Sequence, residues 1–205
     1  MDFNAAAAVI VATGRRLDAR GLAPATAGNY SVRLADGSIA VTVSGEHKGR
    51  LTADGVMRVD RAGQPIDAKR PSAETLLHCL VYELDAGAGA VLHTHSVSGT
   101  VLSRALGNEI LLTGYELLKI FPGIDTHDTS VALPLVDNSQ DMAALADELR
   151  PLLAAQNPLV PAFYIRGHGL YAWGATMEAA ENLVEAIEFL LTCAWEELKR
   201  EGALR

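Results

Sequence analysis

The sequence predicts an α/β fold in three layers, a sheet covered by helices on both faces. Strand-like and helix-like runs alternate along the chain without a linker between them, the pattern of a layered α/β protein. Two apolar runs, Gly89-Ala90-Val91-Leu92 and Ala162-Phe163-Tyr164-Ile165, read as buried strands. The last helix sets Leu183, Ile187, Leu190, Leu191 and Trp195 at helical spacing, with Glu181, Glu185, Glu188, Glu196 and Glu197 largely between them, so one face looks into a core. A length of 205 residues suits one domain, 1–205, with no internal repeat, low-complexity tract or charge block.

The elements follow in order. Ala5 to Asp18 is a helix closed at Arg20-Gly21, where glycine suits the C-terminal cap. Tyr30–Leu34 and Ser38–Val43 are strands around Asp36-Gly37, a hairpin turn. Val56–Val59 and the segment after Ala62-Gly63 extend this antiparallel part. Ser72 to Leu84 is helical, with Ser72 as its N-cap or as a ligand-binding hydroxyl. A short strand at Val91-Leu92 leads into His93-Thr94-His95, and Ser96 to Ala105 is a helix. Ile110–Leu112 is a strand, Tyr115–Ile120 helical, and Val131–Leu133 a strand. Asn138 to Leu153 is a helix with Asn138 as its cap and Asp141 near its start, as the helix dipole favours. Ala162–Ile165 and Leu170–Trp173 are strands around a glycine-rich turn, and Thr176 caps the helix that runs to Lys199.

Composition narrows the function classes. Apolar residues at 49% and charged residues at 20% are those of a soluble globular protein. A net charge of -8 argues against a general nucleic-acid binder, which needs an exposed basic stripe, but allows a local anion pocket. The first residues lack the basic start of a signal peptide, and no run approaches the ~18 apolar residues of a membrane span, so the expectation is a cytoplasmic chain with no membrane partner. Cys79 and Cys193 have no metal spacing and read as free thiols in helices.

His93 and His95 are i and i+2 at a strand end, so both imidazoles reach the same side. His-x-His is a metal pair or a pair of capping histidines. A third imidazole, His168, follows another strand-like run in Gly167-His168-Gly169, where flanking glycines allow close backbone approach. Three imidazoles with an open fourth position describe a catalytic zinc-type site, although the same ligands suit manganese, cobalt or iron.

Ala27-Gly28-Asn29-Tyr30-Ser31, Val43-Ser44-Gly45, Pro71-Ser72-Ala73-Glu74, His93-Thr94-His95-Ser96 and Gly167-His168-Gly169 occur in the order and approximate spacing of the class II aldolase/adducin family, which the chain resembles from end to end. The resemblance implies a homotetramer with a central, mainly antiparallel sheet between helical layers, one Zn2+ per subunit on His93, His95 and His168, and a phosphorylated ketose as substrate. It assigns Gly28, Asn29, Ser44, Gly45 and Ser72 to a phosphate pocket. Lys48 in Glu46-His47-Lys48-Gly49 is either a cation for that pocket or a solvated loop lysine. The middle third, with Thr113-Gly114-Tyr115-Glu116-Leu117, Thr126-His127 and Leu133 to Asp141, is similar to the branch that dehydrates 5-methylthioribulose 1-phosphate in methionine salvage.

That dehydration removes the C3 proton and the C4 hydroxyl of the ketose. A metal held by the histidines would polarise the ketose carbonyl and stabilise the charge left at C3, and a carboxyl group would serve as base and then acid. Glu116 matches the acid/base residue of the dehydrating branch and is the first candidate. Glu74 matches the glutamate that serves the aldolases and is the second, with dipole stabilisation of its helix as the plainer role. Aldol cleavage between C3 and C4 is the nearest alternative activity, followed by phosphopentulose epimerisation, whose acidic-aromatic signature is absent at Gly114-Tyr115-Glu116, and by a non-catalytic adducin-like module. His127 reads as a loop residue or a support near the site, His78 as a packed or partly exposed helix residue, Tyr115 as pocket or core. Tyr171 and Trp173 read as packing.

Overall fold

A computed structural model describes residues 1–200 and 202; the expected domain also takes in 201 and 203–205, which lie outside the described residues. Its strands are β1 (Asn29–Arg33), β2 (Ile39–Thr42), β3 (Val56–Val59), β4 (Ala90–Thr94), β5 (Glu109–Thr113), β6 (Ser130–Val136), β7 (Ala162–Ile165) and β8 (Gly169–Gly174). They form one sheet in the order β3-β2-β1-β4-β8-β7-β6-β5, antiparallel at every pair except β6–β7. Helices α1 (Phe3–Ala19), α3 (Val97–Ala105) and α5 (Met177–Arg200) cover one face, α2 (Thr75–Leu84) and α4 (Met142–Ala154) the other. The mainly antiparallel α/β/α architecture expected from the sequence is the one the chain adopts.

Alternation along the strands sorts side chains between the two cores. Ala90 and Leu92 of β4 and Leu170 and Ala172 of β8 lie under α1 and α5, while Val91, Tyr171 and Trp173 lie under α2 and α4. The same alternation turns His93 toward Tyr171 and sends Thr94 the other way, to Glu188 of α5.

Local chemistry accounts for most element ends. Asp2 caps α1 by accepting from the Ala5 N–H at 2.9 Å, and Gly21 follows the helix at φ 74°, open only to glycine without strain. Ser96 and Thr176 accept from Gly99 and Ala179 N–H groups, each at 3.1 Å, at the starts of α3 and α5.

Three expected boundaries move. α2 begins at Thr75, because Pro71 is bridged to Val43 and the Ser72 hydroxyl accepts from the Glu74 N–H at 3.3 Å, which keeps 71–74 out of the helix. α4 is capped by Asp141, whose carboxylate accepts from the Ala144 N–H at 3.0 Å, and not by Asn138. The stretch after Gly63 forms no strand and contributes only isolated bridges, Val59 with Pro65 and Val43 with Pro71. Cys79 is buried and Cys193 half-buried, both free. Among the described residues no helix is long and apolar enough to cross a membrane.

Candidate metal-centred active site

β4 ends at the centre of the sheet between β1 and β8, and it delivers His93 and His95 there. The β7–β8 turn brings His168 to meet them. Ring centroids are 4.5 Å apart for His93 and His95 and 4.9 Å for His168 with either. One nitrogen from each ring lies within 4.8 Å of the others, so the three form a group able to hold a single metal ion.

The donor chemistry fits such an ion. His93 is 0% exposed, and its Nδ1 faces the Leu170 carbonyl at 2.9 Å. A carbonyl only accepts, so Nδ1 carries the proton and the Nε2 lone pair is left for the cavity. That Nε2 is buried with no hydrogen-bond partner, an orphan a metal would satisfy. Burial holds His93 well below the usual imidazole range and pulls His95 down to about 4, so both are neutral, as ligation requires.

Glu74, at the N-terminal edge of α2, places Oε1 3.1 Å from His168 Nε2 and Oε2 3.5 Å from His93 Nε2. Burial pushes its carboxyl up, but the His168 and His93 rings and the Asn29 amide outweigh this, and Glu74 is held ionised, well below the usual carboxylate range. Of the two expected acid/base glutamates, Glu74 is the one beside the histidines.

The same cavity, 330 Å³ in volume, is walled by Gly28, Asn29, Ser44, Gly45, Lys48 and Ser72 together with Glu74, His95 and His168. Gly28 and Gly45 both sit at φ 81°, where L side chains are strained, and a Cβ on Gly28 would lie 2.8 Å from the His93 carbonyl oxygen. Lys48 is only 1% exposed, which overturns the solvated-loop alternative. Its ammonium donates to the Thr26 carbonyl at 2.8 Å and to that of Glu46, and burial lowers its pKa to about 8. A larger cleft of 690 Å³ beneath β6 holds none of these groups.

Glu116 is not in this cavity. It follows β5, four strands from β4, or ~19 Å across the sheet. The registers also put the Thr113 end of β5 at the opposite end of the sheet from His93. Its side chain is 73% exposed, pairs with Lys119 at 2.6 Å and lies 3.5 Å from His127. The expectation that Glu116 joins the histidines therefore fails within one chain, because sequence neighbours of β4 are carried to the far corner by strand order. Tyr115, half-buried there, donates to Glu197 at 2.6 Å.

Sequence reasoning missed several supports. His78 is fully buried, the packed one of its two expected placements, and its ring nitrogens face Asn29 and Ser31. Tyr171 stacks on His93, and Thr26, Ala27 and Thr42 also line the cavity. Spacing carried a signal: His78 is one helical turn after Glu74, as Tyr171 is one strand repeat after Gly169.

A three-histidine centre with an adjoining glutamate, at the middle of a mainly antiparallel α/β/α sheet, defines a class of metal-site proteins. The chain belongs to the class II aldolase and adducin family: the family's N-terminal domain matches residues 8–195. It is 56% identical over 193 residues to the methylthioribulose-1-phosphate dehydratase of Gluconacetobacter diazotrophicus, covering 93% of this chain and 92% of that protein. The enzyme of the same name from Granulibacter bethesdensis is 53% identical over 198 residues, 93% of this chain and 91% of the relative. Among solved structures, l-fuculose-1-phosphate aldolase of Thermus thermophilus is 27% identical with a TM-score of 0.73, over 97% of this chain and 96% of that one. YgbL of Klebsiella pneumoniae, 24% identical over 96% of this chain and 91% of its own, shares the fold with a TM-score of 0.82.

Proposed function

We propose that this protein is a zinc-dependent hydro-lyase that converts 5-methylthioribulose 1-phosphate to 5-methylthio-2,3-dioxopentyl phosphate, a step of methionine salvage. The observation that carries the reading is one cavity in which three histidines, an ionised glutamate and a wall of small polar residues with Lys48 converge, in a chain 56% identical to a relative named for this reaction.

His93, His95 and His168 hold the ion. Zinc there supplies Lewis-acid polarisation of the ketose carbonyl, which acidifies the neighbouring C3–H. Glu74, ionised and beside the histidines, is placed to take the C3 proton. Backbone N–H groups at Gly28 and Gly45, the Ser44 and Ser72 hydroxyls and the Lys48 ammonium hold the phosphate, while one Asn29 N–H is already spent on Glu74. Loss of the C4 hydroxyl with a donated proton leaves an enol that becomes the second ketone.

Glu116 remains the candidate donor of that proton, supplied by another copy of the chain. Its exposure at the opposite corner of the sheet supports a site completed between subunits of a homotetramer. Aldol cleavage is the competing reading, favoured by the place of Glu74 beside the histidines and by the likeness to the Thermus aldolase.

The deciding experiment is mass spectrometry of 5-methylthioribulose 1-phosphate incubated with zinc-loaded protein. A product lighter by one water supports the dehydratase. Two smaller fragments mean an aldolase, and an unchanged substrate with full zinc content removes the substrate assignment.

A further inference from the structure

A buried hydrogen-bonded chain runs from Glu74 into the core between β1 and α2. Asn29 Nδ2 donates to Glu74 Oε2 at 2.5 Å, and Asn29 Oδ1 faces His78 Nε2 at 2.5 Å. His78 Nδ1 faces the Ser31 hydroxyl at 2.7 Å, which lies 2.8 Å from the Tyr82 hydroxyl. Asn29, Ser31, His78 and Tyr82 are all buried. The geometry is a match of periods: Asn29 and Ser31 are i and i+2 on the strand face under α2, and His78 and Tyr82 are one helical turn apart above them.

Every proton in this chain has one consistent position. A carboxylate oxygen accepts, and the Asn29 amide nitrogen is the atom that faces Glu74 Oε2, which leaves the carbonyl oxygen toward His78. That oxygen also only accepts, so His78 carries its proton on Nε2. Nδ1 is then the acceptor, the Ser31 hydroxyl donates to it, and the Ser31 oxygen accepts from Tyr82. The opposite tautomer would flip Asn29 and set its carbonyl oxygen against the Glu74 carboxylate, two acceptors in contact with no proton between them. Burial favours the same neutral ring, pulling His78 down to about 4.

We propose that His78, as the neutral Nε2–H tautomer, is a positioning residue for the dehydration: through Asn29 it fixes the Glu74 carboxylate beside the three histidines, with Ser31 and Tyr82 locking the tautomer. The inference rests on Glu74 being the base of the proposed reaction. Nothing in it requires His78 to touch substrate or metal.

Two readouts test it on the intact zinc-loaded protein. Nitrogen-15 NMR of the His78 ring, which needs no substrate, is expected to show Nε2 protonated and Nδ1 bare across neutral pH. Ser31→Ala, which removes the donor to Nδ1, is expected to perturb that signature. In kinetics, His78→Leu is expected to lower kcat about 10–100-fold with KM and zinc content little changed, and His78→Gln, which keeps a donor toward Asn29, to recover most of the loss. An Nδ1-protonated or cationic ring in the wild type overturns the proposal even if the enzyme is active. Equal loss in the Leu and Gln variants, or loss carried by KM or zinc content alone, overturns it too. A protein with the expected tautomer that leaves 5-methylthioribulose 1-phosphate unchanged sinks the dehydratase reading and with it the role in that reaction, while the assigned hydrogen-bond directions stand.

Discussion

The His93 imidazole lies on the Tyr171 ring, centroids 4.2 Å apart and planes 17° from parallel. The two are register partners across β4 and β8, and Tyr171 stacks in turn on Phe163, its partner on β7, at 4.7 Å. A row of aromatic faces thus fixes the plane of the His93 ring. The Tyr171 hydroxyl is buried without a hydrogen-bond partner, so the ring and not the oxygen carries the support. Tyr171→Phe is expected to keep thermal stability and zinc stoichiometry. Tyr171→Ala is expected to cost about 3–5 kcal/mol in denaturant unfolding and to weaken zinc binding. A Phe variant as damaged as the Ala variant would show that the hydroxyl matters.

Gly169 meets the same strand two residues before Tyr171 on β8. A Cβ there would lie 2.2 Å from the Thr94 carbonyl oxygen and 2.7 Å from His93 Cε1, and neither backbone nor ring can yield without moving His93. Gly169→Ala is expected to lose ~1–3 kcal/mol and to lower zinc content measured by elemental analysis. Gly107, where an added Cβ would meet no atom within 4 Å, is the control, and Gly107→Ala should stay within about 0.5 kcal/mol of wild type.

What was legible in the sequence follows from these contacts. Apolar periods of two and 3.6 residues set the elements, and His93 and His95 declared a shared side because a strand repeats every second residue. Lys48 was ambiguous because its partners are backbone carbonyls of Thr26 and Glu46, which leave no mark in a side-chain pattern. Ser72 looked like a helix cap because the pairing of Pro71 with Val43, distant in sequence, decides where α2 starts. Glu116 follows the histidines closely in sequence, yet only the order of strands reveals that it sits at the far corner.

Thr94, between the two histidines, donates to Glu188 Oε1 at 3.1 Å, while Glu188 Oε2 is buried without a partner. Burial raises the Glu188 pKa. A raised carboxyl favours the protonated folded state, so its contribution is full in acid, below the unfolded-state pKa, and is lost as pH rises through the folded-state value. Glu188→Gln keeps an acceptor for Thr94 and removes the ionisation. Calorimetry across pH should find its Tm above wild type at neutral pH, by about 2–4 °C for each kcal/mol, and converging with it in acid. A variant less stable at every pH would mean that an ionised Glu188 is satisfied in the fold.

Lys48 carries a pH dependence of opposite form. With its pKa lowered to about 8 by burial, its charge in the free enzyme is present below that pH and lost above it. KM for the phosphorylated substrate is expected to rise above pH ~8, and Lys48→Met to abolish that rise while raising KM at neutral pH. Folding penalises the charged lysine, so its burden on stability is full at neutral pH and fades between about 8 and the ordinary lysine value. A wild-type KM flat through that range would remove Lys48 from the phosphate pocket.

The place of Glu116 makes a prediction about assembly. Glu116→Gln and His95→Ala are each expected to abolish turnover, one by loss of the proton donor and the other by loss of a metal ligand. If Glu116 serves a neighbouring copy, chains carrying different defects can share an intact site. Co-expression of the two variants at equal levels should then restore activity in roughly a quarter of the sites, the fraction in which random assortment joins an intact His95 to an intact Glu116. A donor acting within its own chain predicts none, since every chain in the mixture carries one defect. Recovery would place the reacting groups on two subunits, and its absence, with both variants assembled as the wild type is, would leave Glu74 as the acid/base group without help from Glu116.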